Sequence, residues 1–243
     1  MLFRSVLMTS CGEYQSLLKS NDYNLVYKKA IEYYNKGDYQ RAMNLLDGVR
    51  SVFVGQAKAQ NIAYYRAFCS YNMKDYQIAS DLFKQFIQTY PESSFAEECL
   101  YMMGFCDYKA SPKPRLDQQV TEKAIREFQL YLSRYPYSMR KDKVNTYMDE
   151  MRDKLSYKAY LSAKNYYLRE HYKAAVISLQ NCLKDYPGSK YREEIMYMLF
   201  VSKYQMAVNS VEDKKVERYN NAREEYYYFA DEYPNSRYAA DVK

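Results

Sequence analysis

One four-residue phrase, Tyr-Pro-x-Ser, occurs four times in the chain: Tyr90 to Ser93, Tyr135 to Ser138, Tyr186 to Ser189 and Tyr233 to Ser236. The same spacing leads into each. An alanine stands twelve residues before every proline (Ala79, Ala124, Ala175, Ala222), and a bulky residue follows the alanine by four (Phe83, Phe128, Leu179, Tyr226). Further apolar residues continue at helical intervals, as in Phe86, Ile87 and Tyr90, so each segment reads as an amphipathic helix. Proline ends it, because it has no N–H to donate and pushes the preceding residue out of the helical region.

A second helix precedes each of these, marked by two tyrosines seven residues apart with a fixed residue three after the first. The pairs are Tyr27/Tyr34 around Ala30, Tyr64/Tyr71 around Ala67, Tyr101/Tyr108 around Gly104, Tyr160/Tyr167 around Ala163 and Tyr197/Tyr204 around Phe200. Seven residues make almost two turns, so each pair lies on one face, and the small residue in four of the five permits close approach of a neighbouring helix. The connections read Gly37-Asp38-Tyr39, Lys74-Asp75-Tyr76 and Glu170-His171-Tyr172, each tyrosine three before an alanine. In the first unit Ala42 and Leu46 fit, with Val54 where proline would stand. The first tyrosine advances by 37 residues in three of four steps (27 to 64, 64 to 101, 160 to 197). Such a period means stacked helical hairpins. The pattern resembles the tetratricopeptide repeat over almost the whole chain, and the fold expected is all-α, a right-handed α-solenoid of five such hairpins.

Insertions interrupt the array at Lys109 to Asp117, which contains Pro112 and Pro114, and near Asn209 to Glu217. Fourteen extra residues around Met139 to Arg152 lengthen the first helix of unit four. With no Gly or Pro from Met139 to Arg169, that helix can reach about 45 Å at 1.5 Å per residue. The expected organisation is a leader and tether over 1–24, repeats one to three over 25–138, and repeats four and five over 139–243.

Totals narrow the function classes. Six Gly and six Pro in 243 residues, beside 48% hydrophobic residues, suit a helical protein with a large core. Thirty-two tyrosines and no tryptophan favour side chains that both pack and present hydroxyls at a recognition surface. The net charge of +6 is interleaved with acids rather than gathered into a stripe, so no nucleic-acid partner is expected. Cys69, Cys99, Cys106 and Cys182 fall at repeat positions that take small core residues, which favours buried thiols over metal ligands or disulfides. His171, the lone histidine, belongs to a turn. No phosphate-cradling glycine loop, zinc spacing or nucleophile elbow is present, so neither an enzyme nor a cofactor is expected.

The opening, Met1-Leu2-Phe3-Arg4-Ser5-Val6-Leu7-Met8-Thr9-Ser10-Cys11, has the layout of a bacterial lipoprotein signal with Cys11 as the acylated residue. Several acyl chains would hold the protein to a membrane stably, with Gly12 to Asn24 as the tether. This opening, the five repeats, the long helix of unit four and the stretch from Asp153-Lys154-Leu155-Ser156 through Tyr166-Tyr167 and Arg169-Glu170 to Asp185-Tyr186-Pro187 together resemble the BamD family of outer-membrane assembly lipoproteins.

The resemblance implies a place on the periplasmic face of the outer membrane, anchored through acyl chains only. It implies docking of repeats four and five on a BamA-like β-barrel insertase, and capture of the C-terminal segments of unfolded outer-membrane proteins by repeats one to three; accessory lipoproteins are possible further partners. In a tetratricopeptide array the first helices line the inner curve. That implies a peptide groove of Asn24, Tyr27, Tyr34 and Asn35, then Asn61, Tyr64, Tyr71 and Asn72, then Glu98, Tyr101, Tyr108 and Lys109. Two roles stay open to these tyrosines, groove lining and packing between helices. Another reading, a general periplasmic scaffold for cell-wall or secretion machinery, would use the same repeats for a different partner.

Overall fold

The structure, a computed structural model, describes residues 6–238, with side chains from residue 12 onward. Among them run eleven helices: α1 (Val6–Leu18), α2 (Tyr23–Asn35), α3 (Tyr39–Val49), α4 (Ala57–Asn72), α5 (Tyr76–Thr89), α6 (Ala96–Ala110), α7 (Gln119–Arg134), α8 (Lys141–Leu168), α9 (Tyr172–Asp185), α10 (Arg192–Val208) and α11 (Glu212–Glu232). From α2 onward they form five antiparallel pairs of the tetratricopeptide kind, each helix packed on its chain neighbour within α2–α7 and within α9–α11. The chain divides into two compact units, one of residues up to Pro112 with Gln118–Met148, the other of Lys113–Asp117 with Asp149 onward. Each unit is a stack of hairpins.

The second helices owe their burial to the alanine spacing. Ala79, Phe83 and Phe86 of α5 are buried, as are Ala124, Phe128 and Tyr131 of α7 and Ala175, Leu179 and Cys182 of α9. These residues sit at i, i+4 and i+7, one stripe of a helix. In the first helices the small residue does the matching work: Ala30, Ala67 and Ala163 are fully buried. At Gly104 a Cβ would stand 2.9 Å from Cδ1 of Phe128, so only glycine admits that ring.

The repeated phrase has one conformation in all four places. The tyrosine leaves the helix at φ −131, −127, −133 and −130°, and its N–H still donates to the carbonyl four residues back. The serine N–H then donates to that tyrosine's carbonyl at 3.0–3.1 Å, closing a β-turn around the proline. Finally the serine Oγ accepts the N–H two residues on, from Phe95, Arg140, Tyr191 and Tyr238, and in the first three turns the chain then enters α6, α8 and α10. Ser138 and Ser236 also donate through Oγ to Glu97 and Glu193 at 2.7 Å, fastening the turn to the preceding first helix.

Inside three of the five hairpins, α2–α3, α4–α5 and α8–α9, the connection is a Schellman-type end. The N–H groups of Asp38, Asp75 and His171 reach back to Tyr33, Ser70 and Tyr166. The residue before each takes a left-handed conformation: Gly37 at φ 82°, but Lys74 at 68° and Glu170 at 59°.

One segment differs from the sequence reading, and two others gain detail. Gly12 to Asn24, expected as a tether, is helical through Leu18, and Tyr14 and Leu17 are buried on the first hairpin. Asn44 donates to the Tyr14 hydroxyl, and Lys29 pairs with Glu13 at 3.0 Å. The insertion near Asn209 to Glu217 is mostly helix, because it contains no Gly or Pro and places Glu212 and Asp213 in the first turn of α11, where the dipole favours them. The added residues of α8 begin by closing the first unit: Val144 and Met148 are buried there, while Tyr147 lies against Phe105, Tyr108 and Phe128. The side chain of Cys11, the expected lipid anchor, lies outside the described residues.

Candidate functional site

The first helices of the first unit carry a continuous run of aromatic rings. Tyr34 of α2 meets Tyr65 of α4 edge-on at 4.9 Å between centroids, and Tyr65 meets Tyr64 at 5.5 Å. Tyr64 lies on Phe68 at 4.5 Å, Phe68 meets Tyr71, and Tyr71 reaches Phe105 of α6 at 6.2 Å. Phe105 stacks on both Tyr101 and Tyr108, and Tyr108 stacks on Tyr147 of α8 at 4.5 Å. Rings 4.5–7 Å apart attract beyond their buried area, so the ladder joins successive hairpins and also forms their shared face.

Polar groups fix the rings. Tyr64 donates its hydroxyl to Oε2 of Glu98 at 2.8 Å, and Glu98 also faces Arg140 at 3.7 Å, whose guanidinium lies 4.9 Å over the Tyr101 ring. Burial first, then the hydrogen bond to Glu98, holds the Tyr64 phenol far above its usual range. Burial pushes Tyr34 up to about 12 although the Asn72 amide bonds to it, so both phenols remain neutral donors at any physiological pH. Asn24 accepts from Lys58, whose ammonium lies 5.5 Å over Tyr27.

Of the expected groove residues, Tyr34, Tyr64, Tyr71, Tyr101 and Tyr108 lie in this ladder, and Asn72 and Glu98 bond to its hydroxyls. Asn24, Asn35 and Lys109 are exposed at its rim; Tyr27, Tyr34, Asn61, Tyr64, Tyr71, Asn72, Glu98 and Tyr108 are half-buried. Tyr101, at 7% exposure, is core. The face also contains residues the sequence reading passed over: Tyr65, Phe68, Phe105, Arg140 and Tyr147. A signal for Arg140 was present. The residue two after each Tyr-Pro-x-Ser serine lies on the first tyrosine of the preceding pair: Phe95 on Tyr64 at 4.5 Å, Arg140 on Tyr101, Tyr191 on Tyr160 at 4.4 Å, and Tyr238 on Tyr197 at 4.4 Å.

In the second unit the same positions are more strongly ionic. Tyr160 donates to Glu194 at 2.8 Å, and Lys164 bridges the Tyr160 hydroxyl and Glu194 at 2.8 and 2.7 Å. Arg192 grips Glu232 with two nitrogens, and Lys203 pairs with Glu225, both joining α10 to α11. The same two helices share ring contacts at Tyr197–Phe229, Phe200–Tyr226 and Tyr204–Tyr219.

One buried polar cluster stands behind the aromatic face of the first unit. Asp107 is 2% exposed; it accepts from Ser80 at 3.0 Å and pairs with Lys123 at 2.8 Å. Glu127 is also buried, 3.7 Å from Lys123, and its Oε2 has no hydrogen-bond partner. Burial, followed by the neighbouring Asp107 carboxylate, pushes the Glu127 carboxyl up to about 8. The four cysteines Cys69, Cys99, Cys106 and Cys182 are buried free thiols; burial raises Cys69 and Cys99 to about 12 and Cys182 to about 11, so they are inert apolar filling. Among the described residues no group of His, Cys, Asp and Glu side chains has metal-binding geometry. No described helix is long and apolar enough to cross a membrane.

The family described as YfiO, outer membrane lipoprotein, has a model that matches residues 19–194 and 158–243. No curated protein matches the chain. Among solved structures, the TPR2AB-domain:pHSP90 complex of yeast Sti1 aligns over 84% of this chain and 77% of that one, at 13% identity and a TM-score of 0.43. MamA AMB-1 aligns over 83% and 90%, at 14% identity and a TM-score of 0.35.

Proposed function

Because the chain belongs to the YfiO family of outer-membrane lipoproteins, also called BamD, we propose that it is a receptor in outer-membrane protein assembly. In this reading it binds the C-terminal segments of unfolded β-barrel proteins and docks on a BamA-type barrel insertase. The lipid anchor is Cys11, the site is on the periplasmic face, and the chain is a binding protein rather than an enzyme. The observation that carries the reading is the half-buried aromatic face of α2, α4 and α6, rimmed by Asn24, Asn35 and Lys109.

Such a face suits an extended peptide. Half-exposed rings can take apolar and aromatic side chains, amides can bond the peptide backbone, and Lys109, 5.2 Å over Phe105, offers a cation to a terminal carboxylate. Units one to three are the receptor and the second unit is the docking block, where the ion pairs between α10 and α11 supply the stiffness an interface needs.

The test is a fluorescence-anisotropy titration of a labelled barrel C-terminal peptide ending in Phe. Replacing Tyr64 and Tyr71 together by Ala is expected to weaken binding by at least ~2 kcal/mol, with the helical circular dichroism retained. Equal affinity for the variant, or for a peptide whose terminal Phe is replaced by Ser, would refute the receptor assignment and favour a scaffold with another partner.

A further inference from the structure

The four Tyr-Pro-x-Ser turns share one backbone geometry, so the side chains at x and immediately after the serine point outward in every case. Three turns place polar or small residues there: Glu92 and Ser94, Gly188 and Lys190, Asn235 and Arg237, all exposed. The remaining turn, the second along the chain, places Tyr137 and Met139 there, which are 97% and 103% exposed. Neither is needed to form the turn, since the other three form without them, and neither packs on the fold.

The surroundings are basic. Arg134, Arg140, Lys141 and Lys143 flank the two residues, with Asp142 as the one acid in this stretch of sequence, while Glu97 and Glu98 of α6 take up Ser138 and Arg140 behind the turn. Lys141 and Lys143 lie in the first turn of α8, where the helix dipole favours acids. By contrast, α6 and α10 begin with Glu97 and Glu98 and with Glu193 and Glu194. Arg134 and Arg140 are partly engaged, at the Pro91 carbonyl and over Tyr101. Lys141 and Lys143 are exposed.

We propose that this turn is a membrane-contact loop. Tyr137 and Met139 enter the headgroup boundary of an anionic phospholipid surface while Lys141, Lys143 and Arg134 meet its phosphates. Tyrosine favours that boundary because its ring is apolar and its hydroxyl is wet, and each basic residue near an anionic surface adds attraction. A second copy of the chain fits poorly: a two-fold contact would bring the same cations together, and two side chains fall far short of the roughly 1,000 Å² a stable protein interface buries. The proposal rests on the outer-membrane location of the family, which keeps a lipid surface within reach; for an anchored chain, even a weak loop contact would fix orientation.

The absence of tryptophan from the sequence makes the test direct. The full chain with Cys11→Ser, which carries no acyl group, is given a single reporter by Tyr137→Trp and mixed with vesicles of 30% phosphatidylglycerol in phosphatidylcholine. A blue shift and quenching by brominated acyl chains are expected, with at least fivefold weaker partition in 0.5 M salt, in Lys141→Glu/Lys143→Glu and in Met139→Ser. A Tyr227→Trp reporter on α11 is expected to stay unshifted. No shift with anionic vesicles, equal partition into pure phosphatidylcholine, or a shift without vesicles that grows with protein concentration would each overturn the proposal, the last by assigning the loop to a second copy. Because the vesicles are supplied and the anchor is removed, none of these outcomes bears on family membership.

Discussion

Gly104 is a point of close approach between α6 and α7, and replacing it with Ala sets two effects against each other. Helix propensity gains about 1 kcal/mol, because Gly is that much poorer than Ala in a helix interior. Against it, the new methyl lies 2.9, 3.0 and 3.3 Å from Cδ1, Cε1 and Cγ of Phe128, where ordinary carbon contacts are 3.5–4.0 Å. Phe128 is fully buried, and Cγ cannot move away without moving α7. Overpacking of this kind costs about 1–3 kcal/mol, so Gly104→Ala is expected to destabilise by up to about 2 kcal/mol.

The control is Gly48→Ala in α3, where a Cβ meets nothing within 4 Å and only the propensity gain of about 0.5–1 kcal/mol remains. Urea titrations followed by far-ultraviolet circular dichroism, run on both variants and the parent, measure the contrast. Adding Phe128→Leu to Gly104→Ala should cost less than the two single changes summed. If Gly104→Ala stabilised as much as Gly48→Ala, close approach of α6 and α7 at this point would be refuted.

Lys74→Gly and Glu170→Gly, at φ 68° and 59°, should each stabilise by about 0.5–1 kcal/mol in the same titration, because the left-handed region penalises a side chain there. Glu127 makes stability depend on pH. Its folded pKa of about 8 lies above the unfolded 4.5, so the native state keeps a proton the unfolded chain releases. Stability therefore falls as pH rises from about 4.5 to about 8, by at most ~1.4 kcal/mol per unit; Glu127→Gln should flatten that slope in melts taken across the window. Tyr64→Phe removes the donor to Glu98 and should cost about 0.5–1.5 kcal/mol by urea titration.

The repeat was legible because its signals are local. Ala79, Phe83 and Phe86 stand on one stripe of one helix, and Tyr90-Pro91 closes that helix by backbone chemistry alone. The buried thiols were legible for the same reason, since Cys69 and Cys106 occupy repeat positions that demand small residues. Partners from other hairpins were harder to read. The Tyr64–Glu98 hydrogen bond spans 34 residues, and Tyr147 reaches Phe105 and Tyr108 from α8; neither contact follows from periodicity within a single helix. The Asp107, Lys123 and Glu127 cluster was invisible because burial of a polar residue leaves no mark on a polar position of an amphipathic pattern. α1 was missed because Tyr14 and Leu17 are too few, in a polar stretch, to read as a core-facing stripe.

A receptor that works beside a β-barrel insertase should stay bound to it when the membrane is dissolved gently. The most direct test is to extract the tagged, acylated protein from native membranes in mild detergent and identify what accompanies it in stoichiometric amount. A BamA-type barrel protein, retained through the second unit, is expected. Recovery of the protein in full yield with no barrel partner, or with cell-wall or secretion components in its place, would contradict the receptor reading.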